Sequence, residues 1–287
     1  GLAMALDIDP VLGVMAGAVS LTGGHGGAAA FGSMAEELGH SSASIAAIAS
    51  ATFGLIAGSL LGGPIASYLI KKHNVKIEAD DDFKIDSPVR SNPLLSATIE
   101  TPSFLKMLAV ILLIMVVGRI LSTLFTESTG FSLPSYVGAM LVAVIFRNLN
   151  DGFKFMEIHE KSIDLISGAS LGLFLTMAMM TLEIWKLSGV ALPLFIILGL
   201  QVIALVLMTV FVVFRLLGKN YDAAVMCSGL MGHGLGATPN AMANMTAVCD
   251  RYKLVSTKAL MIVPLSGAVL IDIVSIPYHT YLINLFS

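Results

Sequence analysis

Two glycine-rich stretches decide how this chain folds. The first reads Ser20-Leu-Thr-Gly-Gly-His-Gly-Gly-Ala28, and the second reads Ser228-Gly-Leu-Met-Gly-His-Gly-Leu-Gly-Ala-Thr-Pro-Asn240. Irregular backbone survives at membrane depth only where protein or a water-filled cavity covers it. We therefore predict that the surrounding apolar segments, 10–32 and 221–246, are broken or re-entrant rather than plain spans. Two unbroken glycine-rich helices packed on their neighbours are the alternative.

The composition around these stretches is that of a polytopic membrane protein. Of 287 residues, 56% are hydrophobic and only 12% are charged, whereas a soluble domain carries about 25% charge. The mean hydropathy is +0.88. These values exclude an ordinary cytosolic enzyme and a disordered scaffold, and a net charge of −3 offers no basic surface for nucleic acid. Cys227 and Cys249 are too few for a disulfide framework.

The remaining apolar stretches are predicted to be membrane spans, because a spanning helix needs roughly 20 mainly apolar residues. Gly54, Gly58 and Gly62 recur at every fourth position of one such stretch and predict a closely packed neighbouring helix. The charged, proline-containing segment 73–103 is predicted to be a cytoplasmic linker. The predicted spans are 45–70, 104–125, 133–147, 162–182, 190–217 and 257–285.

The distribution of Lys and Arg predicts opposite orientations for the two glycine-rich stretches. The loop after the first stretch, around Glu36 and Glu37, has no Lys or Arg and is expected outside the cell. The loop after the second contains Arg251 and Lys253 and is expected inside. The two copies of this unit, a glycine-rich stretch and the loop that follows it, would then have opposite orientations in the membrane. The predicted fold class is therefore an all-α polytopic membrane protein with inverted-topology repeats, each with a re-entrant loop.

The repeat also predicts how the chain divides. Residues 1–72 would form the C-terminal part of the first inverted repeat, and residues 104–287 the second repeat. Four predicted spans precede the second glycine-rich stretch after the linker, but none precedes the first. We therefore expect the chain to be a fragment in which about 100 N-terminal residues of the first repeat are absent.

Short motifs are distributed along the chain: Gly23-Gly-His-Gly26, Ala51-Thr-Phe-Gly-Leu55, Gly62-Gly-Pro64, Lys219-Asn-Tyr-Asp-Ala-Ala224, Gly234-Leu-Gly-Ala-Thr-Pro239, Ala243-Asn-Met245 and Leu270-Ile-Asp-Ile-Val274. Together these motifs resemble the bacterial sodium/glutamate symporter family. The resemblance implies a sodium-dependent glutamate carrier that is multi-pass in the bacterial inner membrane. It further implies two inverted five-helix halves, a homodimer and an elevator-like movement, with no cofactor beyond the coupling Na⁺. His233 departs from the family pattern, so it is not expected to be required.

The chemistry of glutamate suggests which residues bind it. Glycines at a helix break let backbone N–H groups approach a carboxylate, and the helix N-terminus adds partial positive charge. Asp272 is the lone carboxylate in an apolar run and could hold a cation or the substrate ammonium; a structural hydrogen bond between helices is the alternative role. His25 has a similar alternative as a packing residue. The candidate substrate-binding residues are Thr22, Gly23, Gly24, His25, Gly26, Gly234, Gly236, Thr238, Asn240 and Asp272.

Sodium prefers oxygen ligands, which hydroxyl groups and unwound carbonyls can supply. The candidate sodium-binding residues are Ser20, Thr52, Ser228 and Asp272.

Other functions stay open at this point. A carrier of the same architecture for citrate or malate would need no partner for an ammonium group, which leaves Asp272 less purpose. A membrane-embedded metal-dependent hydrolase could use His25, His233 and Asp272, but the sequence has no closely spaced set of metal ligands. A passive channel is a third alternative, because paired re-entrant loops do not by themselves require uphill transport.

Overall fold

The computed structural model describes residues 1–77, 100–130, 135–181, 185 and 188–287. Within these ranges every long regular element is a helix, which confirms the all-α prediction. The predicted linker 73–103 falls largely outside the described residues. The helices are α1 (Leu2–Ala5), α2 (Pro10–Val14), α3 (Gly24–Glu37), α4 (Ala43–Lys72), α5 (Thr101–Thr129), α6 (Ser135–Phe153), α7 (Glu160–Thr181), α8 (Ala191–Met208), α9 (Phe214–Leu216), α10 (Tyr221–Gly234), α11 (Thr238–Tyr252), α12 (Thr257–Leu265) and α13 (Ile271–Phe286).

Three π-helical turns connect consecutive helices of this series. Met15–Val19 follows α2, Thr209–Val213 joins α8 to α9, and Ser266–Leu270 joins α12 to α13. Such turns free a backbone carbonyl from the helical ladder and occur often at functional sites. Two of the three lie next to the glycine-rich stretches described below.

Three helical segments of the described chain are long and apolar enough to cross a membrane by length and composition. They are Ala43–Lys72, Thr101–Thr129 and Ala191–Leu216. They coincide with the predicted spans 45–70, 104–125 and 190–217. The other predicted spans, 133–147, 162–182 and 257–285, fall on α6, α7 and the continuous series α12–α13, and their crossing of the membrane stays a prediction.

The helices form two compact units. One comprises Gly1–Lys84 with Glu183–Ser287, and the other comprises Ile85–Leu182. The predicted division into repeats, 1–72 and 104–287, stays a prediction, because compact units do not define repeats. The helices after residue 183 pack with the N-terminal helices rather than with α5–α7. Sequence order alone could not predict this, because it does not specify which helices pack together.

In the second unit α5 and α6 cross closely. A Cβ atom on Gly118 would collide with the backbone of Ala139, and one on Gly138 would collide with the Gly118 carbonyl and Ser122 Oγ. Small residues thus let the two backbones touch, as in other membrane helix pairs. Helix α5 ends at Gly130, whose φ of +70° suits a glycine at this position.

In the first unit α4 is the central helix, and α3, α10 and α11 pack around it. Lys71 and Lys72 occupy its last turn, where positive charge favours the negative end of the helix dipole. Two neighbours begin at side-chain caps: Asn220 accepts the Ala223 N–H at the start of α10, and Ser256 accepts the Ala259 N–H at the start of α12.

Candidate functional site

The second glycine-rich stretch forms a helical hairpin. Helix α10 ends at Gly234, residues 235–237 are not helical, and α11 begins at Thr238. A Cβ atom on Gly232 would lie 2.7 Å from the Ala241 backbone, and one on Gly229 would lie 2.6 Å from Met245 Sδ. The contact farther back along α10, at Gly229, meets a position farther along α11, at Met245. The two helices therefore run antiparallel. The break expected from the glycine content is therefore present.

The first glycine-rich stretch is also broken. Gly17 leaves the helical conformation within the π-helical turn at a ψ of −146°, and residues 22–23 form a turn before α3 begins. Gly24 has a φ of +57°, which a residue with a side chain adopts only at a cost. The Ser20 hydroxyl donates to the Met15 carbonyl of the same segment, so it satisfies its own irregular turn.

The two breaks lie against each other. A Cβ atom on Gly24 would lie 3.2 Å from the Gly236 carbonyl oxygen and 3.6 Å from the Ala237 side chain. We call the region formed by residues 22–25 and 235–238 the break junction. Gly24 and Gly236 are buried there, whereas Thr22 and Thr238 are partly exposed. The structure thus brings together residues far apart in the sequence that were predicted to share one site.

The break junction contains hydrogen-bond donors from two helix starts. In α3 the first-turn N–H groups belong to Gly24, His25 and Gly26, and in α11 they belong to Thr238 and Asn240. An α-helix cannot satisfy these groups internally, and they carry partial positive charge. Both helices are therefore suited to meet the carboxylates of an anionic ligand.

Helix α4 supports the hairpin through its glycine stripe, Gly54, Gly58 and Gly62, which was predicted to pack against a neighbouring helix. A Cβ atom on Gly54 would collide with the Leu235 carbonyl and the Leu21 side chain, and one on Gly58 would lie 3.0 Å from the Met231 carbonyl. The bare helix surface therefore lets the backbone of the break rest directly on α4.

Asparagine side chains of α11 bond to the backbone of α4. Asn240 Nδ2 donates to the Leu55 carbonyl at 3.0 Å, and its Oδ1 accepts from Ser59 Oγ at 2.8 Å. Asn244 Nδ2 donates to the Gly58 carbonyl at 2.9 Å. Because both functional atoms of the Asn240 amide are bonded to α4, its contribution in this conformation is to hold the hairpin in place.

His25 connects the first break to α4. Its Nε2 atom lies 3.0 Å from Thr52 Oγ1, and the Thr52 hydroxyl lies 2.9 Å from the Ile48 carbonyl. Both residues are partly exposed. Of the residues predicted to bind substrate or sodium, these two form a direct side-chain contact.

His233 lies in the last turn of α10, and its ring packs against the π-helical turn between α12 and α13. Its side chain is 6% exposed, and Nε2 has no hydrogen-bond partner among the described residues. Thr238 Oγ1 lies 3.5 Å from its Nδ1, and a Cβ atom on Gly267 would lie 2.7 Å from the ring. Asp272, which is partly exposed, is close enough to interact with His233 electrostatically. Asp272 therefore belongs to the same region as the second break.

The four predicted sodium ligands do not form one cluster in this conformation. The Ser20 hydroxyl is used within its own turn, whereas the fully buried Ser228 hydroxyl has no partner in the described part of the chain. Thr52 bonds to His25, and Asp272 lies near His233. Among the described residues, no group of three or more His, Cys, Asp or Glu side chains could hold a metal ion.

Two of the predicted glycines lie at the margin of the site. A Cβ atom on Gly234 would contact the Leu205 side chain of α8 at 3.0 Å, so Gly234 serves close packing. Gly26 is exposed and has open space around its Cα. The roles of the predicted binding residues as a set stay predictions.

Sequence reasoning missed Gln201. Its Nε2 donates at 3.0 Å to the Ala16 carbonyl, which the π-helical turn of the first break releases. The available signal was a single amide side chain in the apolar segment Ala191–Leu216. Ser59 was missed as well, and it could have been noticed as a hydroxyl within the glycine stripe of α4.

Comparisons with known proteins agree on one family. The family model described as "Sodium/glutamate symporter" matches residues 1–254. The chain is 40% identical over 276 residues to the sodium/glutamate symporter of Escherichia coli (strain K12). The aligned region covers 96% of this chain and 68% of that protein. The chain is 37% identical over 274 residues to the protein of the same name from Haemophilus influenzae, covering 95% and 67%. No solved structure gives a significant match.

Proposed function

The chain belongs to the sodium/glutamate symporter family, and from this we propose that it couples glutamate uptake to sodium entry across the bacterial inner membrane. Members of this family are named as transporters and not as enzymes. The apolar helices agree with a membrane protein. The structural observation that carries the proposal is the contact between the two helix breaks at Gly24 and Gly236.

In the proposed binding mode the first-turn N–H groups at Gly24 and Thr238 hold the carboxylates of glutamate. Two helix starts suit a ligand with two carboxylates, because each start supplies donors and partial positive charge. We propose that substrate is bound by Thr22, Gly23, Gly24, His25, Gly26, Gly236, Thr238 and Asp272, and that Gly234 and Asn240 support these residues through their contacts with α8 and α4. We propose that sodium is bound by Ser20, Thr52, Ser228 and Asp272 in a conformation in which their oxygen atoms meet. The fully buried Ser228 hydroxyl, which has no hydrogen-bond partner among the described residues, supports its assignment as a cation ligand.

The proposed movement is alternating access between inverted repeats. The pair of broken segments supports it, because carriers of this kind bind substrate where discontinuous helices from two repeats meet. We further propose that the protein is multi-pass in the inner membrane and acts as a homodimer. The family resemblance is the support for the dimer.

Energetics favour more than one sodium ion per glutamate. A tenfold sodium gradient supplies about 1.4 kcal/mol per ion, and 100 mV adds about 2.3 kcal/mol per net charge moved. One sodium with anionic glutamate is neutral and would support only about tenfold accumulation. Two sodium ions would supply about 5 kcal/mol, which corresponds to several thousandfold accumulation.

The test is uptake of labelled glutamate by the intact protein in proteoliposomes. We expect an inward sodium gradient to drive accumulation, and an inside-negative potential set with valinomycin and potassium to increase it. Uptake that does not respond to the membrane potential would contradict the proposed stoichiometry of more than one sodium ion per glutamate, but not the proposed function. Failure to accumulate glutamate with both gradients present would contradict the proposed function.

Competition in the same vesicles separates the substrate classes. Excess citrate should not reduce glutamate uptake, whereas citrate accumulation driven by sodium would favour a hydroxycarboxylate carrier. No observation in the described residues favours that carrier, a passive channel or a hydrolase over a glutamate symporter.

A further inference from the structure

We propose that His25 recognises the substrate ammonium through its Nδ1 atom, and that Thr52 is a positioning residue that selects the tautomer of the neutral ring in which this atom is the acceptor. The inference rests on the proposed function, because it assigns one role within the same site. It goes further by identifying the atom that distinguishes an amino acid from a dicarboxylate without an amino group.

The hydrogen bonds of Thr52 determine which nitrogen of His25 carries the proton. The Thr52 hydroxyl has one proton, and it donates that proton to the Ile48 carbonyl at 2.9 Å. Toward His25 Nε2, at 3.0 Å, Thr52 Oγ1 can therefore only accept. In this arrangement Nε2 carries the proton of the neutral ring, and Nδ1 is the acceptor.

The Nδ1 atom is available to a ligand. It has no hydrogen-bond partner among the described residues, and it is not among the polar side-chain atoms that are both buried and without a partner. His25 directly follows Gly24, whose backbone touches the second break at Gly236 and Ala237. The ring that carries this acceptor is therefore attached to the chain directly beside the contact between the two breaks.

Glutamate offers one group that matches this acceptor. At neutral pH its two carboxylates accept hydrogen bonds, and the ammonium is its only donor. The N–H groups at the helix starts of α3 and α11 suit the carboxylates. An unprotonated ring nitrogen would repel a carboxylate and bind an ammonium, so His25 supplies the complement that the backbone donors cannot.

Two substitutions separate the two nitrogens of His25. The amide of His25→Gln can reach the position of Nε2 and donate to Thr52, but it leaves no acceptor at the position of Nδ1. The amide of His25→Asn can place an oxygen near the position of Nδ1, but it loses the bond to Thr52. His159→Gln, in the other compact unit, is the matched control.

The readout is sodium-driven glutamate uptake in proteoliposomes, with inhibition by glutarate, which has the same two carboxylates and no ammonium. We expect His25→Gln to raise the KM for glutamate about tenfold or more, because a hydrogen bond to a charged group is lost. Inhibition by glutarate should not weaken. His25→Asn should raise the KM by less, and His159→Gln should leave it unchanged.

Several results would overturn the inference. They are an unchanged KM in His25→Gln, an equal loss of glutamate and glutarate binding, and a KM for His25→Asn as high as that for His25→Gln. If glutarate does not compete measurably, the KM values of the two variants decide alone.

Thr52→Val provides a second route if His25→Gln does not fold. It removes the acceptor for Nε2–H, so the KM for glutamate should rise several-fold through loss of the preferred tautomer. An unchanged KM in Thr52→Val, or a raised KM that higher sodium restores to the unsubstituted value, would contradict the positioning role of Thr52. Failure of the unsubstituted protein to take up glutamate would instead contradict the proposed function.

Discussion

At the scale of single residues, the site depends on the absence of side chains as much as on their presence. Gly54 and Gly58 bring the carbonyl groups of Leu235 and Met231 against α4. The regular four-residue spacing predicted this packing correctly. The sequence could not show that the packed partner is the helix break itself, because that contact joins distant parts of the chain.

Gly54→Ala should destabilise the protein by about 1–3 kcal/mol, because the new methyl group would overlap the Leu235 carbonyl and the Leu21 side chain. The matched control is Gly63→Ala in the same helix, where nothing lies within 4 Å of the new atom. That control should be neutral or slightly stabilising, since alanine favours the helix. Melting temperatures of the purified proteins in detergent measure both, and equal temperatures would contradict the close contact.

At the scale of elements, the first broken segment is held by a side chain from a different helix. The π-helical turn releases the Ala16 carbonyl, and Gln201 of α8 satisfies it. An unsatisfied backbone carbonyl is costly where water is scarce, so an amide in an apolar helix has a structural purpose here.

Gln201→Leu should lower stability by about 1–3 kcal/mol, because it leaves the Ala16 carbonyl without a donor. Asn148→Leu is the matched control, since Asn148 is exposed and its amide donates to Val144 of its own helix. Thermal unfolding in detergent measures the difference. Equal losses in both variants would mean that the bond from Gln201 does not support the break.

At the scale of the whole molecule, the predicted inverted repeat places the loops after the two broken segments on opposite sides of the membrane. Glu37 and Lys253 lie at the ends of α3 and α11, and both are exposed. The charge pattern predicts Glu37 outside and Lys253 inside.

Glu37→Cys should react with a membrane-impermeant maleimide in intact cells, whereas Lys253→Cys should react only after permeabilisation. The unsubstituted protein is the control, because Cys227 and Cys249 are both buried. Labelling of both positions from the same side would contradict the inverted topology and, with it, the proposed alternating access.

Hydropathy, glycine clusters and short motifs were enough to predict a helical membrane protein, two helix breaks and a family resemblance, because these are local properties of one chain. Which residues meet became visible in the folded protein, where His25 contacts Thr52, Gln201 contacts Ala16, and Asn240 contacts Leu55. The last two pairs are each separated by 185 positions. Such contacts depend on how whole helices pack, which no local pattern specifies.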